Sequence, residues 1–233
     1  AIGEAIKGPY IIFKGIWPTL FASSFGAVAV MSKLLKMNKQ QTLNAYALTL
    51  ATNYGISVTS ETKLNPRWIV FANAVENGVK ACIAAKKGFT CKASTVEMNY
   101  LQHYFKDELD IDKLPPKNDV LPEVSFKEYC SAKQAISSIT ALSTIVSSYN
   151  IDPSDIHSVQ VKVPSYYAKM ISQKHVSNRL MSITSAPYQL AVLCLRPKIL
   201  YDVNRSPVYL DKNIKDFMEK VHVHADNALD NMY

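Results

Sequence analysis

The sequence predicts a mainly α-helical protein that carries a smaller α+β domain in its second part. Apolar residues recur at helical spacing through most of the first 105 residues, as at Phe25 and Val28. Residues 106–123 are charged and contain three prolines, a composition typical of a connection between domains. Residues 157–163 then alternate apolar and polar side chains, which predicts a half-buried strand.

Each helix of the first part is predicted from apolar periodicity or from a terminal signal. The predicted helices span about 22–36, 38–52, 66–87 and 94–105. Asn38, with Gln41 three residues later, predicts a capping box at the start of the second helix. Gly88 follows the third helix, where a glycine can adopt the left-handed conformation that ends many helices. The first part is therefore predicted to be all-helical.

The second part mixes helices with strands. Helical patterns cover about 131–149, 179–195 and 211–220, and residues 152–155 have the composition of a turn. Pro187 interrupts the helical pattern in which it lies. The last helix leads into His222 and His224, which alternate on one face of a further predicted strand. The chain contains no internal repeat.

The charge distribution decides little about partners. A formal net charge of +7 and an isoelectric point of about 9.1 permit nucleic acid, a membrane surface or a small polyanion. The lysines are spread along the chain. The densest group, Lys86, Lys87 and Lys92, lies at a predicted helix end, where cations favour the helix dipole. Nucleic-acid-binding signatures are missing, and no apolar run approaches the roughly 20 residues of a membrane span. We therefore expect neither nucleic acid nor a membrane as partner.

Neither a metal nor a cofactor is predicted. The four cysteines, Cys82, Cys91, Cys130 and Cys194, show no metal-ligand spacing and are expected to be reduced and mostly buried. The two histidines of the last predicted strand lack a third ligand of known proximity. Fingerprints of phosphate loops, dinucleotide sites and serine hydrolases are also missing. The first residues lack the features of a secretory signal, so the cytoplasm is the expected location.

Five segments of the chain resemble, in the same order, segments of the MmgE/PrpD family. This family includes 2-methylcitrate dehydratase, cis-aconitate decarboxylase and iminodisuccinate epimerase. The segments are GIWPTLFASSFGAVAVMSKLLKMNKQQTLNAYALTLA, NPRWIVFANAVENGVKACIAAKKGFT, SFKEYCSAKQAISSITAL, YNIDPSDIHSVQVKVP and MSITSAPYQLAVLCL. The last two are specific in combination. The resemblance covers nearly all of the 233 residues. It corresponds to the C-terminal part of a family member only, because typical members begin with a further long helical segment.

The resemblance implies a helical domain joined to an α+β lid, and a homodimer. The boundaries that we expect are 1–105 for the portion of the helical domain, 106–123 for the linker, 124–200 for the lid and 201–233 for a return toward the helical domain. The implied activity is that of a lyase that dehydrates or decarboxylates a small polycarboxylate or a related carbonyl compound. In that chemistry a base removes a proton beside a carboxylate or carbonyl group, and cations hold the carboxylates.

Three cationic side chains are candidates for binding the substrate. Lys127 matches the family's lid-entry lysine, a mobile cation whose attraction for a carboxylate strengthens when water is excluded. Spacing alone favours a solvated lysine beside Glu128, and the family motif reverses that preference. Arg67 falls where the family commonly has lysine or arginine, near a predicted helix start that adds amide N–H groups, although an ordinary surface role fits as well. Lys63, four residues before Arg67, is a weaker candidate that takes the place of Arg67 if the alignment of the loop before the helix shifts.

Trp17 is the main departure from the family pattern. Members that dehydrate or decarboxylate usually place histidine here, whereas tryptophan has only a non-titrating N–H. Thr19 remains as a hydroxyl partner for the substrate or as a helix cap, and two further histidine positions hold Val70 and Ile136. Tyr188 keeps the family's polar-aromatic pattern, either as a binding residue or as part of the core. The catalytic acid and base are therefore not identified.

Two functions remain open. The first is a lyase, or a subunit of one, whose complementary catalytic half lies on another chain that carries the family's N-terminal half. The second is a repurposed member with an apolar pocket, either a cyclase or isomerase or a non-catalytic binding or assembly subunit. The expected partners are a small-molecule substrate and a second chain, in a homodimer or a heteromer. We expect the helical part to expose an apolar face that such a chain covers.

Overall fold

The computed structural model describes residues 16–53, 67–92, 94, 124–201 and 208–232. The chain divides into two compact units, Ala1–Val124 and Ser125–Tyr233. The described residues of the first unit form helices, and those of the second combine helices with a two-stranded sheet. The predicted fold class, mainly α with a smaller α+β domain, is confirmed. None of the described helices has both the length and the apolar character needed to cross a membrane.

Three helices form the described part of the first unit: α1 Pro18–Leu34, α2 Lys39–Thr52 and α3 Arg67–Lys86. α1 begins earlier than predicted, at Pro18. A proline fits the first turn of a helix, because N–H groups there make no intrahelical hydrogen bond and none is lost. Asn38 forms the predicted capping box. Its side chain accepts from the Gln41 N–H at 2.9 Å, and its own N–H donates to the Gln41 side chain at 3.1 Å. The predicted helix at 94–105 lies outside the described residues apart from Ser94.

α1 and α3 end in the same way, with one residue in the left-handed conformation. Lys36 after α1 has a φ of 49°, and Gly88 after α3 has a φ of 95°. The next N–H along the chain then donates to a carbonyl of the last turn, at 2.9 Å after α1 and at 3.1 Å after α3. The predicted glycine end of α3 is confirmed. Lys36 carries no sequence signal for this role, since lysine adopts positive φ only rarely.

α1 and α3 pack side by side and run in the same direction. Ser24 Oγ donates to the carbonyl oxygen of Ala74 at 2.6 Å, and further along both helices Lys86 Nζ donates to the carbonyl oxygen of Leu35 at 3.0 Å. Gly78 lies where the two backbones approach closely, because a Cβ atom there would be 2.2 Å from the carbonyl oxygen of Ser24. Both helices therefore start at one end of the unit and finish at the other.

The second unit contains α4 Lys133–Ser148, β1 Val159–Val163, α5 Ser165–Ile171, α6 Arg179–Thr184, α7 Ala186–Leu195, α8 Lys212–Glu219 and β2 Val221–Ala225, with short 3-10 turns between them. All of these except α5 follow the sequence prediction. α5 begins on a tertiary contact, since the Ser165 N–H donates at 2.7 Å to Asp230, 65 positions away. A contact of that kind leaves no pattern in the local sequence.

Ser185 divides the predicted helix at 179–195 into α6 and α7. Its hydroxyl oxygen accepts from the Tyr188 N–H at 3.1 Å, which caps α7, and the hydroxyl donates to the carbonyl oxygen of Gln173 at 2.6 Å. Pro187 lies in the first turn of α7, where a proline is tolerated. The predicted interruption is therefore confirmed, and it falls just before the proline.

β1 and β2 form a parallel pair in which Val159 lies opposite Val221. Parallel strands need a long connection, and the helices from α5 to α8 supply it. Inward-facing side chains of both strands join the core of the second unit. β2 therefore pairs within the second unit. The boundaries at 1–105, 106–123, 124–200 and 201–233, and the return of the last segment toward the helical domain, stay predictions.

Candidate functional site

The starts of α1 and α3 lie side by side and carry predicted site residues. Ser24 and Ala74 are hydrogen-bonded across the helix pair. α1 starts six residues before Ser24 and α3 seven residues before Ala74, so at about 1.5 Å per residue the two starts are nearly level. Trp17 immediately precedes α1, and Arg67 is the first residue of α3. We call this place the N-terminal end of the helix pair, formed by Trp17, Thr19, Arg67 and Val70.

Trp17 occupies the N-cap position of α1, and its side chain makes no capping hydrogen bond. The Trp17 side chain is half-buried, and Pro18 has no N–H to offer. Thr19 is exposed and lies inside the first turn rather than at the cap, with its carbonyl oxygen accepting from Ser23 Oγ. The first backbone N–H groups of α1 therefore receive no hydrogen bond from the side chain of their N-cap residue.

Two helix N-termini at one end produce a positive electrostatic potential there. Each acts as roughly half a positive charge, and the effect is strongest within the first turn. α2 opposes part of it, because Asn53 at its C-terminus donates to the carbonyl oxygen of Phe21 at 2.8 Å and so brings a negative helix end nearby. About half a positive charge remains, beside the half-buried side chains of Trp17 and Val70. The side chain of Arg67 and all of Lys63 lie outside the described residues.

Lys127 lies on a turn that precedes α4 in the second unit. Its side chain is exposed, and Nζ donates to the carbonyl oxygen of Ser131 at 3.2 Å. Within the part of the chain that the structure describes, no carboxylate pairs with this ammonium group. An ammonium ion has three N–H donors, so two of them remain available to water or to an anionic ligand.

Packing contacts hold the turn that carries Lys127 in place. The side chain of Tyr129 is 6% exposed, and its ring centroid lies 5.6 Å from that of Tyr201. The N–H of Cys130 donates to the carbonyl oxygen of Leu200 at 3.1 Å. Burial, with smaller effects of neighbouring groups, raises the pKa of Tyr129, so this phenol stays neutral at physiological pH. The lysine therefore projects from a turn with a buried aromatic anchor.

Tyr188 lies in the core of the second unit. Its side chain is fully buried, and its backbone N–H is held by the cap of α7. It therefore offers no surface to a ligand in this conformation, and its role in binding stays a prediction. Ile136 is half-buried and packs against the same core.

A groove of about 460 Å³ opens on the second unit between α7, α8 and the turn at Asp152. Two carboxylates and one ammonium group line it, from Asp152, Asp216 and Lys220, together with apolar side chains. Hydrogen bonds from Ser154 lower the pKa of Asp152, which keeps that carboxylate ionised. Neither Lys127 nor Tyr188 lines this groove.

The exposed face of the sheet carries the two histidines of β2. The ring centroids of His222 and His224 are 6.4 Å apart, and His224 Nε2 lies 2.7 Å from Gln160 Oε1. Among the described residues, no group of three histidine, cysteine, aspartate or glutamate side chains is placed to hold a metal ion. The arrangement therefore supplies two ligands at most.

Sequence reasoning missed two residues that position the candidate side chains. Asn53 is 4% exposed and ties the end of α2 to the first turn of α1. Tyr129 anchors the turn of Lys127. Asparagine is common at helix ends, so the local sequence around Asn53 does not reveal the tertiary hydrogen bond that it makes with α1.

Models of a single protein family match most of the chain. The model of the MmgE/PrpD N-terminal domain matches residues 3–110, and that of the MmgE/PrpD C-terminal domain matches residues 129–233. No curated protein matches the chain. The two matches show that the chain carries segments of both family domains rather than of the C-terminal domain alone. The chain therefore belongs to the MmgE/PrpD family.

Proposed function

We propose that the protein is a lyase of the MmgE/PrpD type, or a subunit of one, which dehydrates or decarboxylates a small polycarboxylate. The observation that carries this proposal is the shared start of α1 and α3. Two parallel helix N-termini, one whose N-cap residue makes no capping hydrogen bond and the other beginning at Arg67, favour the binding of a carboxylate. Family membership supports the choice of a lyase reaction.

Lys127 provides a second cation in this proposal. Its exposed ammonium group keeps two donors available on an anchored turn. Arg67 suits a carboxylate in a bidentate contact, whereas Lys127 acts as a point charge. A cation beside the substrate also stabilises the negative charge that develops when a proton is removed next to a carboxylate.

The proton-transferring groups come from elsewhere in this proposal. Trp17 has no titratable group at the position where relatives usually have histidine, and it contributes an apolar wall and one N–H donor instead. We therefore place the catalytic base in the family's N-terminal half, carried either by another chain or by further residues of this protein. If the two chains form a stable complex on co-purification, the split enzyme gains support, whereas a stable homodimer that turns over the substrate unaided contradicts it.

Substitution of the two cations tests the substrate class. We expect Lys127→Ala and Arg67→Ala each to lower kcat/KM for citrate-like acids, including 2-methylcitrate and cis-aconitate, by roughly 10-fold to 100-fold. That is the range expected for loss of one hydrogen bond to a charged group. Lys133→Ala is the matched control, because Lys133 is an exposed lysine at the start of α4. Unchanged kinetics in both variants would end the polycarboxylate assignment.

Binding can be measured without turnover through Trp17. The chain has two tryptophans, Trp17 and Trp68, so Trp68→Phe leaves a single emitter at the N-terminal end of the helix pair. We expect citrate to change the emission of Trp17, and Arg67→Ala to weaken that titration by roughly tenfold. Lys133→Ala should leave the titration unchanged. A saturating response to citrate that is identical with and without Arg67 would contradict the proposed role of this residue.

A repurposed member is the second candidate, and a separate observation favours it. Trp17, Val70 and Ile136 stand at three positions where relatives usually have histidine, and all three side chains are half-buried. Replacement of titratable side chains by apolar or non-titrating ones suits a cyclase or an isomerase, where shape and one hydrogen bond suffice, or a binding subunit. If Trp17 emission responds to an uncharged carbonyl compound and not to citrate, the second candidate replaces the first.

A further inference from the structure

Five lysines from two distant segments meet where α1 and α3 finish. The hydrogen bond of 3.0 Å from Lys86 Nζ to the carbonyl oxygen of Leu35 joins the two segments. All five side chains are exposed. We call this surface the basic end, and it consists of Lys33, Lys36, Lys39, Lys86 and Lys87.

Within residues 16–53 and 67–92, carboxylates offset little of the positive charge of the basic end. Glu76 is the one carboxylate side chain within residues 16–53 and 67–92, and it pairs with Lys80 at 2.8 Å. It lies ten residues before Lys86 on α3, which is about 15 Å along the helix. The two helix C-termini offset roughly one unit of charge between them. About four positive charges therefore remain at this surface.

Large apolar side chains accompany these lysines. Leu34 is 69% exposed and follows Lys33 directly. Phe89 is 66% exposed and lies two residues after Lys87. Lysines that surround exposed Leu and Phe side chains are typical of surfaces that lie in the headgroup region of a bilayer. Nucleic-acid surfaces favour arginine forks and stacked aromatic rings instead. The one arginine among the described residues of the first unit is Arg67, at the opposite end of α3.

We propose that the basic end binds the surface of membranes that contain anionic phospholipids. The lysines contact the headgroups, while Leu34 and Phe89 enter the boundary between headgroups and acyl chains. Such binding needs no membrane-spanning helix, and the proposal replaces the expectation from the sequence that a membrane is not a partner. It is also independent of the proposed lyase activity, because the length of α1, about 25 Å, separates the basic end from Trp17.

Vesicle co-sedimentation of the full chain tests this proposal. The vesicles are phosphatidylcholine alone or phosphatidylcholine with about one third phosphatidylserine. We expect binding to the anionic vesicles only, with strong weakening at about 1 M salt, where charges are screened within roughly 3 Å. The variant Lys33→Glu/Lys36→Glu/Lys87→Glu should bind at least roughly 100-fold more weakly, since each lysine near an anionic surface contributes about fivefold.

Matched variants separate this surface from net charge and from general hydrophobicity. Lys169→Glu/Lys198→Glu/Lys215→Glu changes the net charge equally on exposed lysines of the second unit and should retain most of the binding. Phe89→Ala should weaken binding, whereas Phe126→Ala, at a phenylalanine that is 94% exposed in the second unit, should not. Circular dichroism melts confirm that each variant is folded.

Three outcomes would overturn the proposal. One is no binding to anionic vesicles at low salt. Another is an equal loss of vesicle binding in the two triple lysine variants, which would show that binding depends on net charge and not on the basic end. The third is tighter binding of duplex DNA than of the vesicles with the same dependence on the basic-end lysines, which would assign the surface to nucleic acid.

Discussion

At the scale of single residues, burial sets the chemistry of the cysteines. Burial raises the pKa of the Cys82 thiol and raises that of Cys194 to about 11. The thiolate is the reactive form of cysteine, so both thiols are unreactive at neutral pH. The sequence prediction of buried thiols is confirmed for Cys82, whereas Cys91, Cys130 and Cys194 are half-buried.

The reactivity of Cys194 provides a pH test. In a variant that keeps Cys194 as its only cysteine, we expect alkylation by iodoacetamide to rise with a midpoint near pH 11, whereas the urea-unfolded variant should show the ordinary value of 9.0. Because the unfolded chain releases this proton first, the folded state loses stability as the pH rises between these two values. A midpoint near 9 in the folded protein contradicts the burial of this side chain.

The positions of the candidate site residues were easier to predict than the surroundings of their side chains. Family motifs identify the positions of Lys127 and Trp17, because the pattern of neighbouring residues is enough for an alignment. They do not reveal that Tyr188 is fully buried, since that burial depends on helices and strands from the rest of the second unit. The motifs also do not reveal that Tyr129 anchors the turn of Lys127, because the ring that Tyr129 contacts, that of Tyr201, is far away in sequence.

At the scale of elements, local signals predicted the helices and strands well. The capping box at Asn38, the left-handed Gly88 and the alternation in β1 each act within a few residues, so the sequence carries them in full. α5 was missed because its start depends on Asp230. The parallel packing of α1 against α3 was also beyond prediction, since it depends on contacts between segments about 50 residues apart, such as Ser24 with Ala74.

Two glycine substitutions test the packing of α1 against α3. Gly78→Ala should lower the free energy of unfolding by about 1–3 kcal/mol, because its Cβ would lie 2.2 Å from a carbonyl oxygen of α1. Gly26→Ala, in the middle of α1, should raise it by about 0.5–1 kcal/mol, because nothing lies within 4 Å of the added Cβ and alanine favours a helix.

Urea unfolding followed by tryptophan fluorescence measures both effects. Both tryptophans, Trp17 and Trp68, belong to the first unit, so the signal reports on the helices concerned. Opposite signs for two chemically identical substitutions are the expected result. Equal stabilisation by both would show that the helices do not approach closely at Gly78.

At the scale of the whole molecule, exposed apolar side chains on α3 favour association. Ile69 is 67% exposed, Val75 is 46% exposed and Ile83 is 48% exposed. Exposed apolar surface of this kind on a helix commonly marks an interface. A partner or self-association is also what the sequence predicts for this part of the chain.

Sedimentation equilibrium tests this expectation. We expect the purified chain to associate at micromolar concentration, and Val75→Asp/Ile83→Asp to shift it toward monomer by burying charge in the interface. Tyr149→Asp is the control, because Tyr149 is 77% exposed in the second unit. A wild-type chain that remains a monomer with one cooperative melting transition contradicts the prediction.

The pairing of β1 with β2 also has a consequence for protein synthesis. During synthesis Val159 leaves the ribosome well before Val221, its partner in the sheet. β1 therefore has no β2 to pair with while the helices between the two strands are synthesised. The hydrogen bonds that join α1 to α3, such as that of Ser24 with Ala74, lie within residues 16–92 and can form earlier. A nascent chain halted before Val221 therefore presents an open strand edge, the kind of surface that chaperones shield and that aggregation begins from.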